Sequence, residues 1–329
     1  DQERAEMRQC IDELPYEPEF HYALCQNLVS NEDFESAEQS LVEALRLDPN
    51  SPDLRIIRAW LDRMLGKLDN HETNVAQLTH VAEVFPQDAS VRLELAVWYQ
   101  FTSRWRELIR CCDDIIGLLG ESDDETDERR PVFLQDAYGL RGNAWLALNE
   151  FQRALDDCNH AIQLGTQVST VWIDRARCYL ALQEPESALA DLDTVLESNP
   201  EEIQALGLKG DYLLSQGEYE EALEVFQAAL QILPDNSFML DRTAIAMASA
   251  GRIDEALQAS QKCVELDPEI APLRLTHSRL LATFNRHDEA LAEINRARQL
   301  SPDDPAILYQ RAMQLTSMLQ RDEAIEQLN

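Results

Sequence analysis

Glycine and proline are scarce in this sequence, with 10 glycines and 13 prolines among 329 residues. Disordered segments are usually rich in these residues and poor in apolar ones, whereas 45% of this chain is hydrophobic. Long apolar runs are also missing: none approaches the ~20 residues that span a bilayer, and no secretory leader opens the chain. The sequence therefore predicts an ordered, soluble protein that does not insert into membranes.

Basic residues are also scarce. The chain has 28 lysines and arginines but 61 aspartates and glutamates, which gives a net charge of −33. Binding to a phosphate backbone requires a basic face, so a nucleic-acid partner is excluded. Anionic membrane surfaces are disfavoured for the same reason. Solubility is a sufficient explanation of the charge, and attraction of a basic partner is the alternative.

The motifs of catalysis and metal binding are missing too. There is no phosphate-binding glycine loop, no HExxH and no GxSxG, and the six histidines do not form a metal-ligand pattern. The seven cysteines contain no CxxC pair and fall mostly at apolar positions, which indicates free thiols in a reducing compartment such as the cytoplasm. We therefore expect no enzymatic activity, no cofactor and no metal.

What the sequence has is an internal repeat of 34 residues. Alanine recurs at this interval from Ala154 to Ala324, and proline recurs from Pro200 to Pro302. With the alanine numbered as repeat position 20, position 8 is always small and positions 11 and 24 are mostly large and apolar. This pattern predicts two amphipathic helices joined by a turn near positions 14–16, with the proline ending the second helix. The residues at position 8 are Gly142, Ala176, Gly210, Ala244, Ser278 and Ala312.

Two helix starts can be recognised from capping residues. Ser51-Pro52 and Asp304-Pro305 each place a side chain that can cap a helix before a proline at the first helical position. The sequence thus predicts that helices begin at Pro52 and Pro305.

This pattern resembles the tetratricopeptide repeat, a helix–turn–helix unit of 34 residues. The resemblance implies an all-α, right-handed superhelical solenoid of about nine repeats, with the terminal ones incomplete. In the N-terminal third, Asn74 and Leu108 stand where alanine is expected. We therefore predict divergent repeats over residues 1–119, an acidic loop over 120–131 and a regular array over 132–329.

The acidic loop carries six acids between Glu121 and Glu128. A solvated loop is the favoured interpretation, and docking of a basic peptide is the alternative. The repeat pattern is incomplete at both ends of the sequence, where a solenoid normally carries a polar capping helix. We therefore expect a segment of a longer protein.

The resemblance also implies a binding surface. In this family a peptide or helix of a partner protein usually binds in a concave groove, which is lined by first-helix positions 2, 5, 6, 9, 12 and 13. These positions mix charged, amide and aromatic residues, which suits a peptide with polar and apolar side chains. The carboxylate clamp of some chaperone-binding members does not transfer. Asn143 matches one of its positions, but the residues at the others depart from it, namely Gly139, Asp174, Gln204 and Leu208. The predicted groove residues are Asn143, Asp174, Arg177, Asp211, Asp241, Arg242, Thr276, Arg279, Tyr309 and Gln310.

Position 7 carries a column of basic residues that has two interpretations. It could bind anions, or each member could pair with acids of the second helices and bury its alkyl stem, which is the interpretation we favour. The column comprises Arg141, Arg175, Lys209, His277 and Arg311.

The sequence alone leaves three functions open. The leading prediction is a non-enzymatic protein-interaction scaffold that holds a partner segment in the groove. The second is a regulatory or substrate-recruiting domain of a larger enzyme, such as a kinase or glycosyltransferase. The third is self-association through the unfinished ends.

Overall fold

The computed structural model describes residues 2–120 and 129–328, which form eighteen α-helices, one short 3-10 helix at Leu68–Asn70 and no strand. The predicted acidic loop lies mostly outside these residues, because 121–128 are not among them. The helices are α1 (Gln2–Glu13), α2 (Pro18–Ser30), α3 (Phe34–Leu47), α4 (Pro52–Met64), α5 (His71–Val84), α6 (Ala89–Phe101), α7 (Trp105–Gly120), α8 (Arg130–Ala147), α9 (Phe151–Gln163), α10 (Ser169–Ala181), α11 (Pro185–Ser198), α12 (Ile203–Gln216), α13 (Tyr219–Ile232), α14 (Ser237–Ser249), α15 (Ile253–Leu266), α16 (Ala271–Thr283), α17 (His287–Leu300) and α18 (Pro305–Leu328).

Consecutive helices pack as pairs, and the first helix of a pair also contacts the first helix of the next. Examples are α8 with α9 and α10, and α14 with α15 and α16. This is the packing of a helical repeat solenoid, as the sequence predicts. The chain divides into two compact units, Asp1–Ala188 and Leu189–Asn329.

The alanine ladder lies in the core. Its members from Ala154 to Ala290 have no exposed surface, and the side chain of Ala324 is outside the described residues. Position 8 faces this ladder. In the α16–α17 pair, for example, the buried hydroxyl of Ser278 donates to the carbonyl of Ala290 at 2.8 Å. Small side chains at both positions let the two helices approach closely, as predicted.

The turn between paired helices depends on one residue with a positive φ at repeat position 15. Glycine adopts this left-handed conformation freely and asparagine tolerates it, whereas branched and bulky residues do not. The residues at this position are Asn149 (φ 61°), Gln183 (φ 66°), Gly217 (φ 82°), Gly251 (φ 79°) and Asn285 (φ 63°).

The last predicted turn is wrong. The repeat pattern places a second helix around Ala324, but α18 runs without interruption from Pro305 to Leu328. Position 15 of this repeat is Leu319, whose side chain disfavours a positive φ. The helix therefore continues where the other repeats turn.

Both predicted caps are confirmed. The hydroxyl of Ser51 accepts from the backbone N–H of Leu54 at 3.5 Å, with Pro52 as the first helical residue. The carboxylate of Asp304 accepts from the N–H of Ala306 at 2.8 Å. These bonds satisfy donors that have no partner within the helix.

The α4–α5 pair is the most divergent one. The 3-10 helix extends its connection, and Asn74 replaces the ladder alanine. The amide of Asn74 donates to the buried carboxylate of Asp62 at 2.9 Å, and Arg58 pairs with the same carboxylate. Polar contacts therefore fill the interface between these two helices, whereas small apolar residues fill the corresponding interface in the regular repeats.

Candidate interaction surface

The ten predicted groove residues lie on the first helices α8, α10, α12, α14, α16 and α18. We call the surface formed by repeat positions 2, 5, 6, 9, 12 and 13 of these helices the first-helix face. Asn143, Asp174 and Arg177 belong to the first compact unit, and the other seven belong to the second. The two groups are described separately.

In the first unit, the polar residues of this face bond to one another. The amide of Gln100 donates to Asn143 at 2.9 Å, and Asn143 donates to Asp174 at 2.8 Å. Arg177 pairs with the second oxygen of Asp174 at 3.1 Å. Burial raises the pKa of Asp174 despite these donors. Asn143 and Asp174 are thus engaged within the chain, and both orient neighbouring helices.

A second polar pair lies in the divergent repeats, where sequence reasoning placed no groove residue. Arg63 on α4 donates to Glu94 on α6 at 3.2 Å, and both side chains are largely buried. The guanidinium also lies 5.8 Å from the ring centre of Phe101, which is an exposed aromatic residue. Burial outweighs the attraction of Arg63 and raises the pKa of Glu94 to about 7. The sequence contains a pattern that could have indicated this pair, because Arg63 and Glu94 are 31 positions apart, as are Asn143 and Asp174.

In the second unit, Asp211 and Arg242 form an ion pair at 3.1 Å, with both side chains more than two-fifths exposed. Such an exposed pair stabilises the fold by less than about 1 kcal/mol. Its consequence here is to neutralise two predicted groove charges. Asp211 has a raised pKa because of its partial burial, against the opposing effect of Arg242.

Asp241 is the buried acid of this unit. Only 8% of its surface is exposed, and its Oδ1 atom has no hydrogen-bond partner among the described residues. Burial raises its pKa to about 6, while the nearby Thr276 hydroxyl and Arg242 act in the opposite direction. At neutral pH this carboxylate is largely ionised, and its burial makes the ionised form costly in folding free energy.

The remaining predicted residues of this unit lie on α16 and α18. Arg279 is exposed and makes no ion pair with the described part of the chain, unlike Arg242. Tyr309 on α18 is 65% exposed, and the half-buried Gln310 next to it has no side-chain hydrogen bond among the described residues. Exposed apolar side chains share this face, namely Phe238 at 56% and Met313 at 49%. The structure thus separates predicted groove residues that bond within the chain from those that have no such bond among the described residues.

The basic column at position 7 contacts second helices, and Arg141 and Lys209 do so through acids, as favoured from the sequence. Arg141 pairs with Asp157 at 2.7 Å, and Lys209 pairs with Asp193 at the same distance. The other three contact polar residues of second helices: Arg175 with Asn159, Arg311 with Asn295 and His277 with Ser260. These side chains link helices.

Within the described residues, no group of three or more His, Cys, Asp or Glu side chains is placed to hold a metal ion. Six of the seven free cysteines are buried, and burial raises the pKa of the Cys25 thiol to about 11. Reactive cysteines need a low pKa and access to solvent, so these are packing residues. No helix in the described ranges is sufficiently long and apolar to cross a bilayer.

Two segments of the chain match family models. Residues 173–237 and residues 247–315 each match a model described as tetratricopeptide repeat. These matches show tetratricopeptide repeats over the two segments, which contain the helical pairs α12–α13 and α16–α17 and the ladder alanines from Ala188 to Ala290. No curated protein matches the chain in sequence.

Several solved structures share the fold. The crystal structure of the APC/C hetero-tetramer Cut9–Hcn1 aligns with a TM-score of 0.63 and 13% identity, over 93% of this chain and 57% of that one. Yeast Tom70 aligns with a TM-score of 0.51 and 13% identity, over 97% of this chain and 92% of that one. A tetratricopeptide repeat protein from Thermus thermophilus aligns with a TM-score of 0.50 and 21% identity, over 55% of this chain and 99% of that one. At these identities the likeness shows the helical repeat solenoid alone.

Proposed function

We propose that this chain is a non-enzymatic scaffold that binds a segment of a partner protein along its first-helix face. Tetratricopeptide repeats are typically protein-interaction modules, and their fold is generally non-catalytic. The observation that supports binding here is the cluster of solvent-exposed groups on α14, α16 and α18. Phe238, Tyr309 and Met313 are each about half exposed or more, and the exposed Arg279, on the helix α16 that contacts both α14 and α18, makes no ion pair with the described residues.

The chemistry of these groups defines the partner segment. Exposed aromatic and sulfur-containing side chains pack against apolar residues, so the segment carries at least one large apolar side chain. Arg279 pairs with a single carboxylate on the partner, and the Gln310 amide bonds to a main-chain group. The net charge of −33 attracts a partner whose overall charge is positive. Affinity comes from several small contacts with a preorganised surface.

Charge reversal at Arg279 tests this proposal. Arg279→Glu should weaken partner capture from a native lysate by at least about tenfold, because it places an acid opposite the partner carboxylate. Quantitative mass spectrometry of the captured proteins measures the effect. Arg298→Glu is the matched control, since Arg298 is also exposed in the second unit and lies on the second helix α17.

Both variants should lower the melting temperature by similarly small amounts, because each adds two negative charges to an acidic chain and neither arginine makes an ion pair with the described residues. If Arg279→Glu captures the same proteins in the same amounts as Arg298→Glu, the partner does not lie along α16.

A further inference from the structure

A cleft opens between α4 and α5, the pair in which Asn74 replaces the ladder alanine. It lies where the start of α4 meets the end of α5 and has a volume of about 360 Å³. This is within the range of pockets that hold small molecules, roughly 300–1,000 Å³. The cleft is separate from the first-helix face defined above. Its lining residues are Asn50, Arg55, Ala76, Gln77, His80, Val81, Val84 and Phe85.

The cleft combines apolar walls with nitrogen-bearing side chains. Four of its lining residues are apolar, three on α5 and Phe85 directly after it, and Val84 and Phe85 remain 55% and 40% exposed. The others offer a guanidinium, an imidazole and two amides. None of the residues that line the cleft is acidic, although the chain has 61 acidic residues.

Arg55 is held in position without an acidic partner. Its Nε and Nη2 atoms donate to the carbonyl of Pro49 at 2.9 and 2.6 Å, which orients the guanidinium. It makes no ion pair with the described residues. Arg58, one turn further along α4, pairs instead with Glu38 and Asp62. An oriented arginine beside an apolar cavity is a receptor for a carboxylate, because part of its donor fork remains available.

The surface beyond Phe85 restricts where an anion can lie. The adjoining depression shares Val84 and Phe85 with the cleft and is also lined by two acids, Asp53 and Asp88, and one cation, Arg129. The acids outnumber the cation there, whereas the cleft has Arg55 and no acid, so a negatively charged group belongs at the Arg55 end. The apolar body of the same ligand then lies against Val84 and Phe85.

We propose that this cleft binds a small organic acid that consists of one carboxylate on an apolar body. The carboxylate pairs with Arg55, and the apolar body displaces water from the α5 wall. This site is independent of partner binding on the first-helix face, so either can fail without the other.

The probe is 3-phenylpropionate, compared with its neutral isostere 3-phenylpropionamide, on the full chain. Ligand-observed NMR titration should show the acid binding at least about tenfold more tightly than the amide, because only the acid pairs with the arginine. Arg55→Gln should remove this preference, whereas Arg298→Gln, with the same change of charge at an exposed site, should keep it.

Ala76→Trp provides a second test that leaves Arg55 in place. It fills the mouth of the cleft, so it should abolish binding of 3-phenylpropionate even if Arg55→Gln fails to fold. Equal binding of acid and amide, no binding of the acid, or unchanged binding by Ala76→Trp would each overturn the proposal. If the peptide N-acetyl-leucyl-phenylalanine binds and 3-phenylpropionate does not, the site recognises a protein C-terminus and the small-acid proposal is wrong.

Discussion

At the scale of single residues, the polar groups of the first helices follow one spacing. In each of three bonded pairs the two residues are 31 positions apart in sequence. Because the repeat is 34 residues long, the second residue of such a pair lies in the next repeat, at a repeat position three lower than that of the first. The same spacing would join Arg279 to Gln310, but no bond between them is present in the described residues. Arg279 is thus exposed and without an ion pair among the described residues, as the proposed binding requires. The three pairs are Arg63–Glu94, Asn143–Asp174 and Asp211–Arg242.

Glu94 should make stability depend on pH. Its pKa is about 7 in the folded chain and near the ordinary 4.5 when unfolded, so the folded state binds the proton more tightly. Its contribution to the free energy of unfolding is therefore fully present below about pH 4.5 and is lost as the pH rises to about 7. Glu94→Gln, which is neutral throughout, should equal the unmodified chain in stability at about pH 4, below the unfolded pKa. It should be more stable by on the order of 2 kcal/mol above pH 7.

Urea unfolding followed by circular dichroism at several pH values measures this difference. Glu107→Gln is the control, because the pKa of the exposed Glu107 is lowered by its hydrogen bond with Arg104. Its small effect should have the opposite sign. A Glu94→Gln variant that is less stable than the unmodified chain above pH 7 would show that the ion pair with Arg63 outweighs burial.

At the scale of elements, close helix packing depends on which small residue occupies each contact. A Cβ atom added at Gly210 on α12 would lie 2.7 Å from Cζ and 2.8 Å from Cδ1 of the fully buried Phe226 ring. The ring belongs to α13 and has no room to move. Gly210→Ala should therefore lower the free energy of unfolding by about 1–3 kcal/mol, measured by chemical denaturation.

Gly207→Ala on the same helix is the matched control. Its Cβ would meet only the terminal methyl group of Met239, which is the end of a flexible side chain. The gain in helix propensity of about 1 kcal/mol offsets this contact, so the variant should be neutral or more stable. Adding Phe226→Leu to Gly210→Ala should recover part of the loss. Equal effects of the two alanine variants would contradict a specific contact with the ring.

At the scale of the whole molecule, acids exceed bases by more than two to one. Most carboxylates therefore have no cation to pair with, and their mutual repulsion destabilises the compact state. Screening by salt should weaken this repulsion more than it weakens the surface ion pairs.

The melting temperature should therefore rise by several degrees between ~0.01 M and ~0.5 M sodium chloride, measured by scanning calorimetry. Sucrose at matched osmolality serves as the control for effects that do not involve charge. A melting temperature that falls with salt would mean that the ion pairs stabilise the folded chain by more than the repulsion among the excess acids destabilises it.

The sequence by itself determined the repeat, its length and the residues at the helix contacts. Ala222 and Gly210 could be assigned to the core because close packing of two helices demands small side chains at fixed intervals. The wrong assignment at Leu319 was also recoverable, since the φ of a turn residue depends mainly on its own side chain. Such local constraints are readable from one chain position at a time.

Only the three-dimensional structure shows which polar residues are bonded within the chain. Asn143 and Arg279, both predicted groove residues, occupy the same repeat position, yet the first is bonded to neighbouring helices and the second is free of ion pairs with the described residues. The cleft beside Arg55 likewise required the actual separation of α4 and α5. Both outcomes depend on distances between side chains that are far apart in sequence, and a repeat pattern specifies the register of such residues but not whether their atoms meet.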